Sequence, residues 1–310
     1  MSGSTPRICV VGSLNTDLTF RTARLPIPGE TLRASEFHIG QGGKGANQAV
    51  MAARLGAQVT MVGRVGRDAF GDATLRHISR EGIDTVYIKE DINAPSGTAA
   101  IIVDDEARNC ILVVPGANGA LTPQDVRDAE SAIRSARVLL CQLEVPTESV
   151  LEAFHIARAA KVRTILNPAP AAELAEELLR LTDICVPNES ELELLAGRSV
   201  GATEEIEAAA RKIIDQGPPT VLVTLGERGV LIVTEDALEH VPAFPVEPVD
   251  TTGAGDAFIG ALAVFLAEDR ILLEAVRWAS AAAALSVTKL GAQASFPSRA
   301  DVEGLFVGER

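Results

Sequence analysis

The chain has 310 residues, of which 47% are hydrophobic, 4% aromatic and 23% charged, an ordinary composition for a globular protein. Its formal net charge of −14 at pH 7 argues against nucleic acids and anionic membranes as partners. A phosphate compound could still bind, but only where helix N-termini, glycine-loop amides or a divalent cation supply local positive potential.

The chain carries no pattern typical of a signal peptide or a membrane span. The first apolar run, Ile8–Val11, is too short for either and is predicted to be the first strand. The four cysteines are widely spaced and form no C-x-x-C pair, which is typical of a reducing compartment. We therefore expect a cytoplasmic protein.

Strand-like and helix-like segments alternate along most of the chain. The predicted strands are Ile8–Val11, Val59–Val62, Val138–Leu143, Thr164–Leu166, Ile184–Val186, Thr220–Thr224 and Val230–Thr234. The predicted helices are Gly45–Leu55, Asp68–Glu81, Glu148–Ala160, Ser190–Ala196, Thr203–Gln216, Gly255–Ala267 and Leu272–Val287. This alternation predicts an α/β fold in which helices cover both faces of a mostly parallel sheet. A core of Ala, Val, Leu and Ile suits that arrangement.

Two segments interrupt the alternation. Residues 18–39 are rich in Pro, Gly and Thr, and residues 97–114 have the pattern of a β-hairpin with its turn at 104–106. We expect these segments to form a small β-lid across a ligand site. No repeat or linker divides the chain, so residues 1–310 are predicted to form one domain that includes this lid. The exposed strand edges of such a lid need covering, which predicts a homodimer through the lid.

A glycine-rich motif, Gly40–Gln48, opens the first predicted helix. It formally contains G-x-G-x-x-G, but it follows the lid segment rather than a core strand, so it is a poor dinucleotide fingerprint. It is not a phosphate-binding P-loop either, because Gly45 follows Lys44 where Ser or Thr is needed. Two interpretations stay open: a lid hinge with a helix cap, or a backbone that approaches a ligand closely, with Lys44 and Asn47 as donors.

A second glycine-rich turn, at residues 250–256, opens another helix. The amides of Ala254, Gly255 and Asp256 are predicted to point forward without partners, as an anion hole for a transferring phosphate. Asp256 is then placed to take a proton from a hydroxyl nucleophile. An ordinary acidic residue at a helix start is the alternative, but it does not explain why glycines flank Ala254 on both sides.

Four further segments are weak signals when taken singly. Asn15 and Asp17 follow the first strand at alternate positions and could grip vicinal hydroxyls, although Asn and Asp are also common in turns. Glu144 ends a later strand in a similar way and is an equally weak signal. The segment 188–191 could position hydrated Mg²⁺ or merely cap a helix. The segment 224–229 could lie along a nucleotide or be a bare turn.

In combination, these motifs resemble the ribokinase family of carbohydrate kinases. GGKGANQA, NxxE, TLGERG and DTTGAGDAF occur in that order, and the resemblance runs from about Ile8 to the C-terminal region. GAGDAF is widespread among such kinases, whereas GGKGANQA, with N-x-D and Gln142-Leu143-Glu144, resembles ribokinases more closely. The implied fold is a ribokinase-like three-layer sandwich with a β-lid. The implied activity is ATP-dependent phosphorylation of D-ribose at its 5-hydroxyl.

The resemblance also implies residue roles. Sugar binding falls to Asn15, Asp17, Gly42, Gly43, Lys44, Asn47, Glu144 and Asp256. Asp256 is the implied base, and the implied anion hole is formed by Gly253, Ala254 and Gly255. Nucleotide binding falls to Asn188, Thr224, Leu225, Gly226, Glu227, Arg228, Gly229, Gly255 and Ser280. Mg²⁺ is organised indirectly by Glu191. A K⁺-type site uses Asp250, Thr252, Ser286, Lys289, Gly291 and Ser295, several of them through main-chain oxygens.

One position departs from the family pattern, and several functions remain open. Ser280 stands where some ribokinases have a histidine near the adenine, so base stacking is expected to be weaker or supplied elsewhere. The alternative substrates are 2-deoxyribose, fructose, and adenosine or another nucleoside. A non-catalytic sugar-binding regulator on the same fold, and an oxidoreductase based on the misplaced glycine motif, are the alternatives from other classes.

Overall fold

The computed structural model describes residues 5–106 and 108–308. Its strands are β1 (Arg7–Val11), β2 (Asn15–Thr22), β3 (Glu36–Gly42), β4 (Gln58–Gly66), β5 (Asp84–Asp91), β6 (Gly97–Asp104), β7 (Asn109–Val114), β8 (Val138–Cys141), β9 (Arg163–Leu166), β10 (Ile184–Cys185), β11 (Thr220–Thr224), β12 (Val230–Thr234) and β13 (Leu238–Val241). Its helices are α1 (Lys44–Arg54), α2 (Ala69–Arg80), α3 (Pro123–Asp128), α4 (Glu130–Ser135), α5 (Thr147–Ala159), α6 (Glu176–Arg180), α7 (Glu189–Ala196), α8 (Thr203–Ile214), α9 (Ala254–Ala267), α10 (Leu272–Ser286) and α11 (Arg299–Gly308).

The main sheet has nine strands in the order β13-β12-β11-β10-β9-β8-β1-β4-β5. Strands β11 through β5 in that order pair in parallel, whereas β12 and β13 run antiparallel at one edge. The connection from β11 to β12 is a short turn, and only an antiparallel pair can be joined that way. The predicted mostly parallel sheet is therefore confirmed.

Helices cover both faces of this sheet. Alternate residues of β1 point to opposite sides, because side chains of a strand alternate. Ile8 and Val10 pack with α1, α9 and α10, whereas Cys9 and Val11 pack with α3, α4 and α5. Helices α7 and α8 extend the second layer over β11 and β12. The predicted three-layer α/β sandwich is confirmed.

The lid is a separate four-stranded sheet, ordered β3-β2-β6-β7. The hairpin predicted at residues 97–114 is confirmed as β6 and β7. The first lid segment, predicted at 18–39, was drawn too short, because β2 begins at Asn15 and β3 ends at Gly42. Asn15 pairs with Gly42 and Gly97, and Asp17 pairs with Gly40 and Ala99. Asn15 and Asp17 are therefore strand residues of the lid rather than turn residues, despite their turn-forming types.

Other boundaries also differ from the sequence-based prediction. Strand β8 ends at Cys141, and the amide of Leu143, at the predicted end of the strand, donates to Ala169 O at 2.9 Å instead of extending a ladder. Glu144 consequently lies on a loop beyond the strand. The prediction missed β5, β13, α3, α4, α6 and α11. Helices α3, α4 and α6 are each six residues or shorter, too short to display a clear periodicity.

Two findings bear on the expected location of the protein. Cys9, Cys141 and Cys185 are buried, whereas Cys110 is exposed on β7. Across the described ranges, no helix combines the length and the apolar character that crossing a bilayer requires.

Candidate active site

The glycines of the first motif let two chain segments cross closely. A Cβ on Gly45 would lie 2.6 Å from Ser13 N, and one on Gly43 would lie 2.8 Å from Asn15 N. Gly43 also has φ of 89°, which favours glycine. A Cβ on Gly42 would lie 2.2 Å from a carboxylate oxygen of Asp17. The start of α1 is thereby pressed against the link between β1 and β2, which brings the motif into the same region as Asn15 and Asp17.

Asp256 is buried at the start of α9, at 8% exposure. Its Oδ2 accepts a hydrogen bond from Asn47 Nδ2 at 2.9 Å, and its Oδ1 accepts one from Gln48 Nε2 at 3.0 Å. Burial raises the pKa of Asp256, against the opposing effects of Lys44 and the two amide donors. A buried carboxylate with a raised pKa, held in a fixed direction, is what a general base requires.

Two more carboxylates face Asp256. Burial, followed by the charges of Glu144 and Asp256, raises the pKa of Asp17 to about 6. Glu144 Oε2 accepts hydrogen bonds from Ser13 Oγ at 2.5 Å and from Lys44 N at 3.0 Å. Burial alone would lower the pKa of Lys44, but Asp256, Glu144 and Glu191 outweigh it and the pKa is raised. The structure thus gathers the predicted sugar-binding residues Asp17, Glu144 and Asp256 into one cluster of hydrogen-bond acceptors beside Lys44.

Asn15 is fixed by a residue that the sequence analysis did not select. Asn118 Nδ2 donates to Asn15 Oδ1 at 2.7 Å, and Asn118 Oδ1 accepts from Leu14 N at 2.9 Å. Gly97 makes room for this contact, because a Cβ there would lie 2.2 Å from Asn118 Nδ2.

The predicted anion hole needs one correction. The amide of Ala254 is not unpaired, because it donates to Thr251 O at 3.2 Å and closes the turn. Within the described residues, the amides of Gly255 and Asp256 have no backbone acceptor, as expected in the first turn of a helix. Gly253, with φ of 79°, directs the chain into the helix. A Cβ on Gly255 would meet nothing within 4 Å. The start of α9 therefore combines two amides that have no backbone acceptor with open space beside Gly255.

The residues of the predicted K⁺ site lie on two segments that are joined by Asp250. Its Oδ1 accepts from Thr252 N at 2.9 Å and from Thr252 Oγ1 at 2.6 Å, and its Oδ2 accepts from Gly291 N at 2.8 Å. Burial alone would raise the pKa of Asp250, but these hydrogen bonds outweigh the effect of burial, and the pKa is lowered. Ser286 and Ser295 are buried, and their hydroxyls donate to Ala283 O and Ala292 O. Lys289 is exposed.

The segments 188–191 and 224–229 lie side by side, because Asn188 forms a parallel bridge with Thr224. Asn188 and Glu191 cap α7 reciprocally, at 2.8 Å and 2.9 Å, so the helix-cap interpretation is correct. Glu191 nevertheless faces the site. Burial raises its pKa, and the charges of Lys44 and Asp256 also act on it.

The remaining predicted nucleotide residues form the turn after β11. Leu225 N donates to Gly229 O at 2.8 Å, and Gly226 and Gly229 adopt positive φ. Glu227 is exposed. Arg228 is paired with Glu189 of α7, which orders the turn and partly neutralises the charge of Arg228. Ser280 is buried on α10, and among the described residues its hydroxyl has no hydrogen-bond partner.

A cavity of about 930 Å³ lies at the amino ends of strands β8 to β11 of the main sheet. Its lining includes Arg137, Arg158, Lys161, Arg163 and Arg270. Arg137 and Arg158 are paired with Asp269 and Asp183, and several of these cations lie near the C-termini of α5 and α9, where positive charge is favourable. The ligands of open α/β sheets bind at the carboxyl ends of the strands, so we place the active site beside Asp256 and not here.

Comparison with known proteins decides the family. The profile of the pfkB family carbohydrate kinases matches residues 5–299.

The chain belongs to the pfkB family of carbohydrate kinases.

The kinase is similar to relatives over almost its whole length. A deoxyribokinase from Salmonella typhimurium is 44% identical over 292 residues, covering 94% of this chain and 95% of the relative. A ribokinase from Mus musculus is 43% identical over 300 residues, covering 95% and 93%. The solved structure of Arabidopsis thaliana ribokinase complexed with ribose and ATP superposes with a TM-score of 0.92 at 35% identity, covering 97% of this chain and 99% of that one.

In this kinase, sequence reasoning missed the residues behind the site. Gln48 and Gln142 lie inside motifs that had been noticed, yet neither was given a role. Asn167 accepts from Gln48 Nε2 at 3.2 Å, and Gln293 Nε2 donates to Asn47 Oδ1 at 2.8 Å. Asn118, Asn167 and Gln293 had no sequence signal, because a single amide residue between the motifs is indistinguishable from many others.

Proposed function

We propose that this kinase transfers the γ-phosphoryl group of ATP to the 5-hydroxyl of D-ribose, giving ribose 5-phosphate and ADP. The observation that carries the proposal is the buried carboxylate of Asp256 at the start of α9, one residue beyond the exposed amide of Gly255. Asp17 and Glu144 add acceptors suited to a polyhydroxylated substrate. The relatives named ribokinase support ribose as that substrate.

The chemical step follows from these positions. Asp256 accepts the proton of the sugar hydroxyl as the hydroxyl oxygen forms a bond to the γ-phosphorus, and the bond from that phosphorus to the β,γ-bridging oxygen breaks to release ADP. The amides of Gly255 and Asp256 stabilise negative charge on the transferred group. The lid excludes water, which protects ATP from hydrolysis.

Mg²⁺ and K⁺ are part of this proposal. Glu191 has one carboxylate oxygen committed to the cap of α7 and faces Lys44 and Asp256, which suits a role that reaches Mg²⁺ through water. When bound, Mg²⁺ neutralises phosphate charge. The oxygen-rich segments joined by Asp250 suit a monovalent cation that stiffens the turn before α9.

The sugar assignment is tested by ADP release over a panel of ribose, 2-deoxyribose, fructose and nucleosides. We expect ribose to give the highest kcat/KM and ribose 5-phosphate as product. A nucleoside that exceeded ribose by more than about tenfold, roughly 1.4 kcal/mol of transition-state preference, would contradict the assignment. The relative named deoxyribokinase, at 44% identity, makes 2-deoxyribose the competing substrate; a preference for it would change the sugar and leave the kinase chemistry intact.

Potassium is expected to raise kcat well above its value in sodium, because a weakly hydrated cation would order the amides of Gly255 and Asp256. The measurement compares rates in chloride salts of potassium, sodium and a large organic cation at equal ionic strength. Equal rates in all three salts would exclude the cation site.

We also propose that residues 1–310 act as one kinase domain and that the lid pairs two copies of it. Strand β7 is an edge of the lid sheet, and Ile111, Leu112, Val113 and Val114 on it are each more than half exposed. Light scattering at micromolar concentration is expected to give a dimer, and Leu112→Lys to give a monomer. A monomeric unmodified protein would refute the pairing.

A further inference from the structure

Burial of the base creates an electrostatic difficulty. Asp256 has to be ionised to accept a proton, yet it lies in a buried position with Asp17, Glu144 and Glu191 facing the same space. Lys44 is a cation that interacts with Asp256, Glu144 and Glu191. Each nearby carboxylate and the burial itself favour the protonated form, so hydrogen-bond donors to Asp256 acquire unusual importance.

Gln48 is one of these donors, and it is fully buried behind the base. It is 0% exposed, so it acts on the reaction only through other residues. Gln48 Nε2 donates to Asp256 Oδ1 at 3.0 Å and to Asn167 Oδ1 at 3.2 Å, and Gln48 Oε1 accepts from Gln142 Nε2 at 2.5 Å. The side-chain amide thus uses its donors and its acceptor at once.

A backbone carbonyl fixes the direction of this chain of amides. Asn167 Nδ2 donates to Val186 O at 3.1 Å, and a carbonyl oxygen can only accept. Asn167 must therefore turn its own oxygen toward Gln48, and Gln48 must turn its nitrogen toward Asn167 and Asp256. The reversed amide would place an oxygen against the carboxylate. The orientation of the donor is thus fixed by the main chain after β10.

We propose that Gln48 is a positioning residue of the reaction, which holds the carboxylate of Asp256 ionised and aimed at the sugar hydroxyl from the side opposite the substrate. This inference rests on the proposed role of Asp256 as the base. Asn47 is the second donor, but it is also a predicted sugar contact, so Gln48 separates the two effects.

The test is the pH dependence of kcat/KM for ribose in Gln48→Met. Methionine has a similar length and no donor. Loss of a hydrogen bond to the charged form is expected to move the acidic limb up by about one to two pH units. At pH values well below both pKa values the rate should therefore fall about tenfold or more, and it should recover to within about threefold at pH 9. Asp17 titrates in the same profile for every variant, so the readout is the difference between variants.

Two further variants keep the test decisive. Gln142→Met changes an equally buried side-chain amide that is hydrogen-bonded to Gln48, and it leaves both donors to Asp256 in place. Its acidic limb should therefore stay within about half a pH unit of the wild-type limb. Gln48→Glu preserves shape but sets a second carboxyl beside Asp256, and two such groups do not both ionise readily. Its acidic limb should move further than that of Gln48→Met, even if the methionine variant folds poorly.

An acidic limb unchanged in Gln48→Glu, or a loss of rate in Gln48→Met that is equal at all pH values, would overturn the proposal and leave Gln48 as a packing residue. Loss of turnover in Asp256→Asn distinguishes this outcome from failure of the proposed function itself.

Discussion

Asp256→Asn is expected to lower kcat by about 10²–10⁴-fold while sugar binding largely persists, because asparagine keeps an acceptor but cannot take a proton at neutral pH. This corresponds to roughly 3–5 kcal/mol of barrier. The effect should appear in kcat more than in binding. Turnover by coupled assay and sugar binding by calorimetry are the measurements.

The same variant carries a predictable structural cost. Both oxygens of Asp256 accept from amides, at 2.9 Å and 3.0 Å, so the new NH₂ group would face a donor. One unmet donor costs about 1–3 kcal/mol, which is partly offset by removal of a buried charge beside Asp17 and Glu144. We expect a folded protein with a modestly lower melting temperature.

A matched control separates a base from a helix-start acid. Asp301 lies in the first turn of α11, and its carboxylate accepts from Ser298 N and Oγ. Asp301→Asn should lower stability slightly and leave turnover unchanged. If Asp256→Asn behaved in the same way, with turnover within about threefold of wild type, the base would have to be Asp17 or Glu144.

Gly255→Ala is expected to abolish most activity without loss of stability. A Cβ there meets no protein atom within 4 Å, and alanine is favoured over glycine in a helix by about 1 kcal/mol. The melting temperature should therefore stay constant or rise. The methyl group would, however, occupy the space that a phosphate needs in order to approach the amides of Gly255 and Asp256. We expect kcat to fall by more than about tenfold, in line with loss of oxyanion stabilisation.

The control for this prediction is Gly304→Ala in α11. Gly304 is also an exposed helical glycine with nothing within 4 Å of an added Cβ. It is far from Asp256 in the sequence and does not belong to any predicted site. This variant should gain similar stability and keep full turnover. Equal activity of the Gly255 and Gly304 variants would mean that no phosphate approaches the start of α9.

The sequence predicted the parts of the fold that depend on local pattern. The strand at Thr220–Thr224 has the predicted bounds, because an apolar β-branched run between a proline pair and a glycine turn has few alternatives. Asn15 and Asp17 were misplaced because their turn preference is local, whereas their pairing with Gly42 and Gly97 depends on distant segments. The site followed the same division. The glycines around Asp256 identified it as a candidate base from the sequence alone. The role of its donor Gln48, in contrast, depends on the contact with Asn167, more than a hundred positions later.

The link between the sheets has a consequence for how the enzyme handles its two substrates. Strand β2 begins directly after the Gly12–Leu14 link from β1, and it carries Asn15 and Asp17 into the lid. Part of the proposed sugar-binding surface is therefore built into the lid sheet rather than into the main sheet beneath it. Any swing of the lid about this link displaces Asn15 and Asp17 together with the cover. Sugar binding and the protection of ATP from water would then depend on the same movement of the lid. A change at Gly12–Leu14 that weakens sugar binding should therefore also increase hydrolysis of ATP by water.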